Sequence, residues 1–478
     1  MTTQLEQFRQ QLYESFPGRA DALMDLLDAL SSNTTARSVV ELCLHPLFRQ
    51  GYGSVYTAIH SLCSESPPQS AGWDCGVNEQ RQTRLIASYL SPPEQQEFWL
   101  FGLDVTPAPR PFAQTLEDRA FVHQPTLIKG NKPVAIGHQY SALVAFPEKG
   151  CRTDPPWVVP LSMRRVDSQQ TATTEGANQM EALLTDETLP FHNRLCVEVA
   201  DSAYSTVPFL GRMAPYDNLV TIARLRSNRT LYRQAQPQPF PSPQGHPTWY
   251  GDPFHLQDPT AWGVPDEQAK TFWTTRKGRT LTVHIQAWHD LLLSGVREYP
   301  MHRHPFTLLR CTVTDEDGRP VFVRPLWLLV MGKRRMEVSL PKTWQAYRQR
   351  FDMEHFFRFG KQRLLLTAYQ TPQVEHEENW WHIVCLAYVQ LWLARSLPQT
   401  MPRPWERYRS DPPPGVASPT TVQRDFSRII RQIGSPADAP KLRGYSPGRA
   451  KGQRQARRER QPVVKKGPAR PQKARLLA

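Results

Sequence analysis

The chain has 478 residues, of which 39% are apolar and 10% aromatic, enough to bury a substantial core in two or three domains and to exclude a disordered or fibrous protein. Its formal charge is +14, but from Lys441 to the end thirteen Lys or Arg face one acid, Glu459, so +12 of the total lies in the tail and the body is close to neutral. The seven cysteines (43, 63, 75, 151, 196, 311 and 385) are odd in number and far apart, and form no C-x-x-C or Cys/His pair of zinc-ligand spacing, which suits a reducing compartment with idle thiols. The N-terminus, "MTTQLEQFRQQLYESF", lacks the apolar core of a signal peptide. The most hydrophobic stretch, "IVCLAYVQLWLA" at 383–394, is too short to span a bilayer and carries Gln390, so a soluble cytoplasmic protein is expected.

Residues 1–66 read as helical. Leucines recur at helical spacing in "ALMDLLDALSS", and "SVVELCLHPLFRQGYGSVYTAIHSLC" has two helical halves joined by a turn at Gly51–Gly53. That is the outline of a helix-turn-helix able to contact DNA, and equally of any small helical bundle. "SESPPQSAGWDCG" then marks a boundary. From about 95 the texture changes to strands: "FWLFGLDVT" ends its apolar run near Asp104, "HQYSALVAF" and "PWVVPLSMRRV" follow, and a polar helix covers about 170–185. "RLCVEVADSAYS" is a further apolar run ending in Asp201, with a helix at "VPFLGRMA" and a strand at "NLVTIARLR". This order predicts an α/β domain built on a mixed sheet with flanking helices, with acidic residues at the C-terminal ends of two strands, where open sheets place active sites.

Between 227 and 340 the chain is rich in Pro, Trp and His, with strand-like "RTLTVHIQAW", "FTLLRCTVT" and "RPLWLLVMG", the last two joined by the hairpin signal "DEDGRP". "EENWWHIVCLAYVQLWLARSL" is apolar nearly all round, as in a helix buried against the sheet. Beyond 400, prolines and the basic tail predict little stable packing. The expected division is a helical N-terminal domain over 1–90, a sheet domain in two parts over 95–226 and 341–400, a β-rich insertion over 227–340, and a linker with a disordered basic tail over 401–478.

Three carboxylates stand out: Asp104 and Asp201 at strand ends and Glu354 in "YRQRFDMEHFFRFGK". Singly, such an Asp is more often a turn former or helix cap. Together, two strand ends and a covering helix can converge oxygen ligands on divalent cations. In one helix at about 100° per residue, Tyr347, Arg350, Glu354 and Lys361 fall within about 60° of one another and make a single polar stripe, while Phe351, Phe356 and Phe357 are expected in the core. A solvated amphipathic face would look the same.

The spacing of Tyr347, Arg350, Glu354 and Lys361 resembles the Tyr-Arg-Glu-Lys signature of a branch of bacterial insertion-sequence transposases, DDE enzymes with an RNase H-like catalytic fold. "LDVT" resembles the family's first-aspartate strand, "ADSAYS" its second-aspartate motif with Tyr204 three residues on, and "LVTIARLRSN" the strand after it; the likeness covers about 95–400. The resemblance implies that Asp104, Asp201 and Glu354 hold two Mg²⁺ ions, for which Mn²⁺ can substitute, and that phosphodiester attack proceeds by two-metal catalysis. It implies that Arg350 and Lys361 bind phosphates of the transposon end and that Tyr347 contacts the same strand. It further implies binding to terminal inverted repeats, cleavage at the ends, transfer of the 3′-hydroxyls to target DNA, a homodimer or larger assembly on DNA, and a place at the bacterial nucleoid. In this branch an aromatic of the insertion can stack on a flipped base beside a DNA hairpin, and Trp249, Trp262, Trp273, Trp288 and Trp327 are the candidates here. The sequence departs from the pattern after Asp104, where Val105 supplies no hydroxyl.

His284, His289, His302 and His304 lack a Cys or acid spacing that would complete a metal site and read as structural or phosphate-facing. A cellular nuclease on the same fold and a non-catalytic or domesticated DNA-binding derivative are the alternatives. The tail, with Arg457, Arg458, Lys465 and Lys466, is a polycation suited to phosphates without base readout, or a solvated terminus. If it binds DNA, deleting 441–478 should flatten the slope of log affinity against log salt while preserving preference for the cognate end; an unchanged slope would assign the tail no phosphate contacts.

Overall fold

The computed structural model describes residues 3–62, 75–124, 133–150, 154–235, 249–275, 278–400, 403, 405, 415–441, 448, 450–454 and 456–465. Lys466 and most of the 64–76 boundary stretch lie outside them. Helix α1 (Gln4–Ser15) opens on a capping box: Thr3 Oγ1 accepts from the Glu6 amide at 3.2 Å, and the Glu6 carboxylate accepts from the Thr3 amide at 2.6 Å. α2 (Ala20–Ser31) carries the leucine pattern. The first half of the expected helix-turn-helix is only a 3₁₀ turn, Val40–Leu44, and the second is α3 (Gly53–Ser61), whose Val55, Ala58 and Ile59 are buried. α4 spans Cys75–Ala87.

The sheet follows the expected order, with one short strand added. β1 (Trp99–Pro109), β2 (Ala120–His123), β3 (Val134–Ala145) and β4 (Val159–Arg165) precede α5 (Ala172–Thr185), β5 (Cys196–Ala200), α6 (Val207–Met213) and β6 (Leu219–Leu225). β1 pairs antiparallel with β3 and parallel with β5, which pairs parallel with β6. The insertion strands are β7 (Thr230–Gln234), β8 (Tyr250–His255), β9 (Glu267–Thr274), β10 (Thr280–Leu291), β11 (Phe306–Thr314) and β12 (Leu326–Met331). β7 and β8 form a separate pair, but β12 hydrogen-bonds to β6, and the sheet continues as β2-β3-β1-β5-β6-β12-β11-β10-β9, with β4 beside β3. Sequence could not show this, because alternating strands specify a buried face but not the partner edge.

α7 (Leu340–Gln349), α8 (Asp352–Arg363) and α9 (Val374–Leu393) cover one face of the sheet, and α5 and α6 the other. Tyr140 of β3 stacks on Trp381 of α9 with ring centroids 3.8 Å apart. α9 is apolar all round because α1, α2 and α3 pack on its outer side. Buried Arg9 joins these layers, donating to Asp28 at 2.9 Å and to Gln390 of α9 at 2.7 Å. Buried residues of the N-terminal helices and the sheet belong to one hydrophobic cluster. Among the described residues, no helix is long and apolar enough to cross a membrane.

Two features correct the expectation of little packing beyond residue 400. After the short α10 (Leu397–Thr400), α11 (Pro419–Ile433) starts at a Ser418 cap and buries Val422, Phe426, Ile429 and Ile430 against α2 and α9. Those residues recur at helical spacing, a signal outweighed in the sequence by neighbouring prolines. Within the basic tail, the Gln461 amide donates to the Gln114 carbonyl at 2.8 Å and the Val464 amide to Arg119 at 2.7 Å, so Val464 bridges Ala120 of β2.

Glu198 of β5 is fully buried; Thr221 donates to its Oε2 at 3.2 Å, and Oε1 has no partner among the described residues. Burial pushes its carboxyl up to about 8, with the Thr221 bond opposing. A carboxyl raised on folding contributes its full stability below the unfolded pKa and loses it as pH rises toward the folded one. Glu198→Gln should therefore be more stable than the native chain at pH 8 by about 4 kcal/mol, with the gap closing toward pH 5. Thermal melts at both pH values check this, and equal melting at pH 8 would refute it.

Candidate active site

The parallel pairing of β1 with β5 ends at Leu103–Ala200, and that of β5 with β6 at Ala200–Ala223. The next residues on the three chains are Asp104, Asp201 and Arg224. Alternation places all three in one row on the sheet face covered by α7 and α8. Asp104 does not end its strand as expected: β1 continues to Pro109 against β3, with Asp104 opposite Ala142. What ends beside it is β5, so the carboxylate looks into the opening where the parallel partner stops. Its Oδ1 accepts from the Val105 amide at 2.8 Å, and Asp201 Oδ1 accepts from the Ala203 amide at 2.8 Å. Tyr204, three residues on, is buried beneath α5, where Gly176 leaves room for its ring: a Cβ there would lie 2.8 Å from it.

The polar stripe does not run along one straight helix. α7 ends at Gln349 and α8 begins at Asp352, joined by a tight turn in which amides 350, 351, 353 and 354 bond to carbonyls three residues back. The extra rotation separates the motif's residues. Tyr347 is 2% exposed, its ring packed 5.8 Å from the Arg350 guanidinium. Arg350 is buried too, with Nη1 3.1 Å from Asp104 Oδ2 and Nη2 3.9 Å from Glu354 Oε1. The Glu354 side chain is half exposed, and Lys361 is two turns further along α8, partly buried, its amine pulled down by desolvation. The stripe expected to meet a ligand is thus divided: Tyr347 and Arg350 serve the carboxylates, while Glu354 and Lys361 reach the surface.

Burial pushes the Asp104 carboxyl up to about 6; Arg350 and the Val105 amide pull it down, and the charges of Asp201 and Glu354 push it up again. Arg350 is the cation that lets this cluster exist in a buried place. Among the described residues no three His, Cys, Asp or Glu side chains stand close enough to form a complete metal site. The donor types nevertheless suit a hard divalent ion: Asp104 and Asp201 stand side by side at the strand ends, Glu354 reaches toward them from α8, and one guanidinium leaves excess negative charge. The third acid, Glu354, is held across Arg350 from Asp104.

Other expected residues are dispersed. Phe356 and Phe357 are buried, but Phe351 is 46% exposed, which corrects its assignment to the core. Trp288 and Trp327 are buried with Trp262 against them; Trp273 lies under Arg348, 3.5 Å from ring centroid to guanidinium; and Trp249 stacks on His302. His289 pairs with Thr307 Oγ1 at 3.0 Å and lies 3.6 Å from Glu267. Arg457, Arg458 and Lys465 are exposed on the tail segment beside β2. Sequence reading missed Arg224, whose signal is its place in "TIARLR" one strand over from Asp201, and missed Gly102.

Gly102, two residues before Asp104 on the same face, sets how closely α8 approaches. A Cβ there would lie 2.6 Å from the Phe146 ring and 2.8 Å from Met353 Sδ, the residue beside Glu354. Gly102→Ala should push α8 outward, costing about 1–3 kcal/mol and weakening any divalent-ion binding that needs Glu354. Denaturant titration and ion-binding calorimetry on the variant check this, and native values in both would remove Gly102 from the site.

A family model described as DDE superfamily endonuclease matches residues 11–292, spanning Asp104 and Asp201 and ending before β11 and Glu354. No curated protein matches the sequence. The ten-stranded mixed sheet with helices on both faces is consistent with the RNase H-like domain of such enzymes. The match covers more than half of the chain: the chain belongs to the DDE superfamily endonucleases.

Proposed function

We propose that the chain is a DNA transposase of the branch with the Tyr-Arg-Glu-Lys signature, which binds the terminal inverted repeats of its element, cuts at the ends and joins the freed 3′-hydroxyls to target DNA. The observation that carries this reading is the row of Asp104 and Asp201 at the end of the β1–β5 pairing, tied through Arg350 to Glu354. Asp104, Asp201 and Glu354 are the residues that would hold the metal. When bound, paired divalent ions, Mg²⁺ or Mn²⁺, supply activation of the attacking oxygen and stabilisation of the leaving one.

The chain's own residues account for the rest. Arg350 keeps Asp104 ionised inside the protein and holds Glu354 over the opening, and Tyr347 packs against the Arg350 guanidinium. Lys361, partly buried two turns along α8 from Glu354, is assigned to a backbone phosphate. Arg224 brings positive charge to the third position of the catalytic row, where a scissile phosphate would lie. The N-terminal helices within 1–90 are assigned to recognition of the DNA ends, 227–340 to an insertion beside the active site, and the tail with Arg457, Arg458 and Lys465 to non-specific phosphate contact. Pairing two DNA ends calls for a homodimer or larger assembly.

The test is cleavage of a plasmid carrying the DNA that flanks the gene, with and without Mg²⁺, by the native chain and by Glu354→Ala. Metal-dependent cuts at defined inverted repeats, with strand joining, are expected from the native chain and loss to background from the variant. Degradation without joining would identify a cellular nuclease on this fold. DNA binding with no cutting would identify a non-catalytic derivative, and cutting that survives Glu354→Ala would displace the glutamate from the site.

A further inference from the structure

A groove of about 760 Å³ opens next to Asp201, where β5 and β6 end. It is lined by Ser202, Arg224, Arg226, Arg310, Arg324 and Trp262, and no Asp or Glu contributes to its wall. Among the described residues none of the four arginines forms an ion pair, although 44 acids are available in the chain. Arg226 Nε reaches Ser202 Oγ at 3.4 Å, which fastens the groove to the residue after Asp201. Arg310 lies over the Trp262 ring, 5.0 Å from its centroid, donates from Nη1 to Gln286 Oε1 at 2.8 Å, and has a buried Nε with no partner among the described residues. Four guanidinium groups around one groove, with no carboxylate in its wall, leave an excess of positive charge that attracts an anion.

The positive lining continues beyond the groove. Arg310 of β11 lies opposite Gln286 of β10, which lies opposite Gln268 of β9. One step further along the same face, Thr312, His284 and Lys270 form a second row. These residues line a shallow depression of about 380 Å³ that shares Arg310 with the groove. From β6 across β12, β11 and β10 to β9 is four interstrand steps of about 4.8 Å, or about 19 Å in all. That is too long for one phosphate or one nucleotide and suits a polyanionic strand. Alternating arginine, amide and hydroxyl groups around one aromatic ring are the chemistry that holds a nucleic-acid backbone without reading its bases.

We infer that this track, from Ser202 through Arg226, Arg310 and Arg324 onto the open face of β9–β11, binds the phosphates of the DNA strand that leads to the catalytic row. The inference rests on the reading of the chain as an enzyme acting on DNA, and it gives the insertion a role through its sheet face. Register places Arg310, level with Trp327 and Leu225, on the sheet face away from α7 and α8, and the groove at the ends of β5 and β6 is where that face meets the row of Asp104, Asp201 and Arg224.

The experiment measures anisotropy of labelled single-stranded and duplex DNA, of the flanking sequence and of a scrambled one, over a series of salt concentrations with the full chain. Arg310→Gln/Arg324→Gln should lower affinity for both sequences about tenfold or more and reduce the slope of log affinity against log salt by about 1.5. Arg319→Gln/Lys333→Gln removes the same charge from side chains already paired with Asp317 and Asp217 and should leave both quantities near native. If the Arg310 variant melts early, exposed Arg226→Gln serves alone, with a slope change of about half that size. Native affinity and slope in the track variants would overturn this inference alone. Failure of the native chain to bind any DNA would instead overturn the transposase reading on which it rests.

Discussion

The contact between Arg350 and Asp104 is the constraint around which the site is arranged. A carboxylate placed where a parallel strand stops is only partly solvated, and two more acids nearby raise the cost of its charge. A guanidinium supplied by the turn between α7 and α8 offsets that cost and forks toward Glu354 at the same time. Because Arg350 is itself buried, the turn can take up only a narrow range of positions over the sheet. The position of α8, the accessibility of Glu354 and the need for glycine at 102 all follow from it.

That geometry is held from further away by a layered core. α9 lies between the sheet side and the N-terminal helices, and it is buried because α1, α2, α3 and α11 cover it. On the other flank the insertion strands do not form a separate body beside the sheet but extend it from β6 outward, and Trp273 of β9 stacks beneath Arg348 of α7. The same helix thus meets both β5–β6 and the insertion strands.

Much of this was legible in the chain. Apolar runs placed β1 and β3 to β6, the leucine pattern placed α2, and the all-round apolar "IVCLAYVQLWLA" marked a buried helix. The carboxylates named from the sequence lie where the register brings Asp104 next to Asp201. Other features were hidden for identifiable reasons. Helix α11 was masked by prolines that occupy its first turn and its approach, where they are tolerated. The break at Arg350 leaves no mark in composition, because "YRQRFDMEHFF" contains neither Gly nor Pro and the interruption comes from the packing of Tyr347 and Met353.

The sequence by itself determined most of the sheet strands and the buried helix α9, where the acidic residues stand relative to the apolar runs, and that basic charge is concentrated at the end. These are local properties, set by side-chain period and chemistry within a few residues. Only the tertiary structure decided that β12 pairs with β6, that Arg224 is third in the row of Asp104 and Asp201, that Tyr347 and Arg350 face inward, and that four unpaired arginines surround one groove. Those depend on edges and faces that meet across many tens to hundreds of residues, and backbone hydrogen bonds at a strand edge carry no label for their partner.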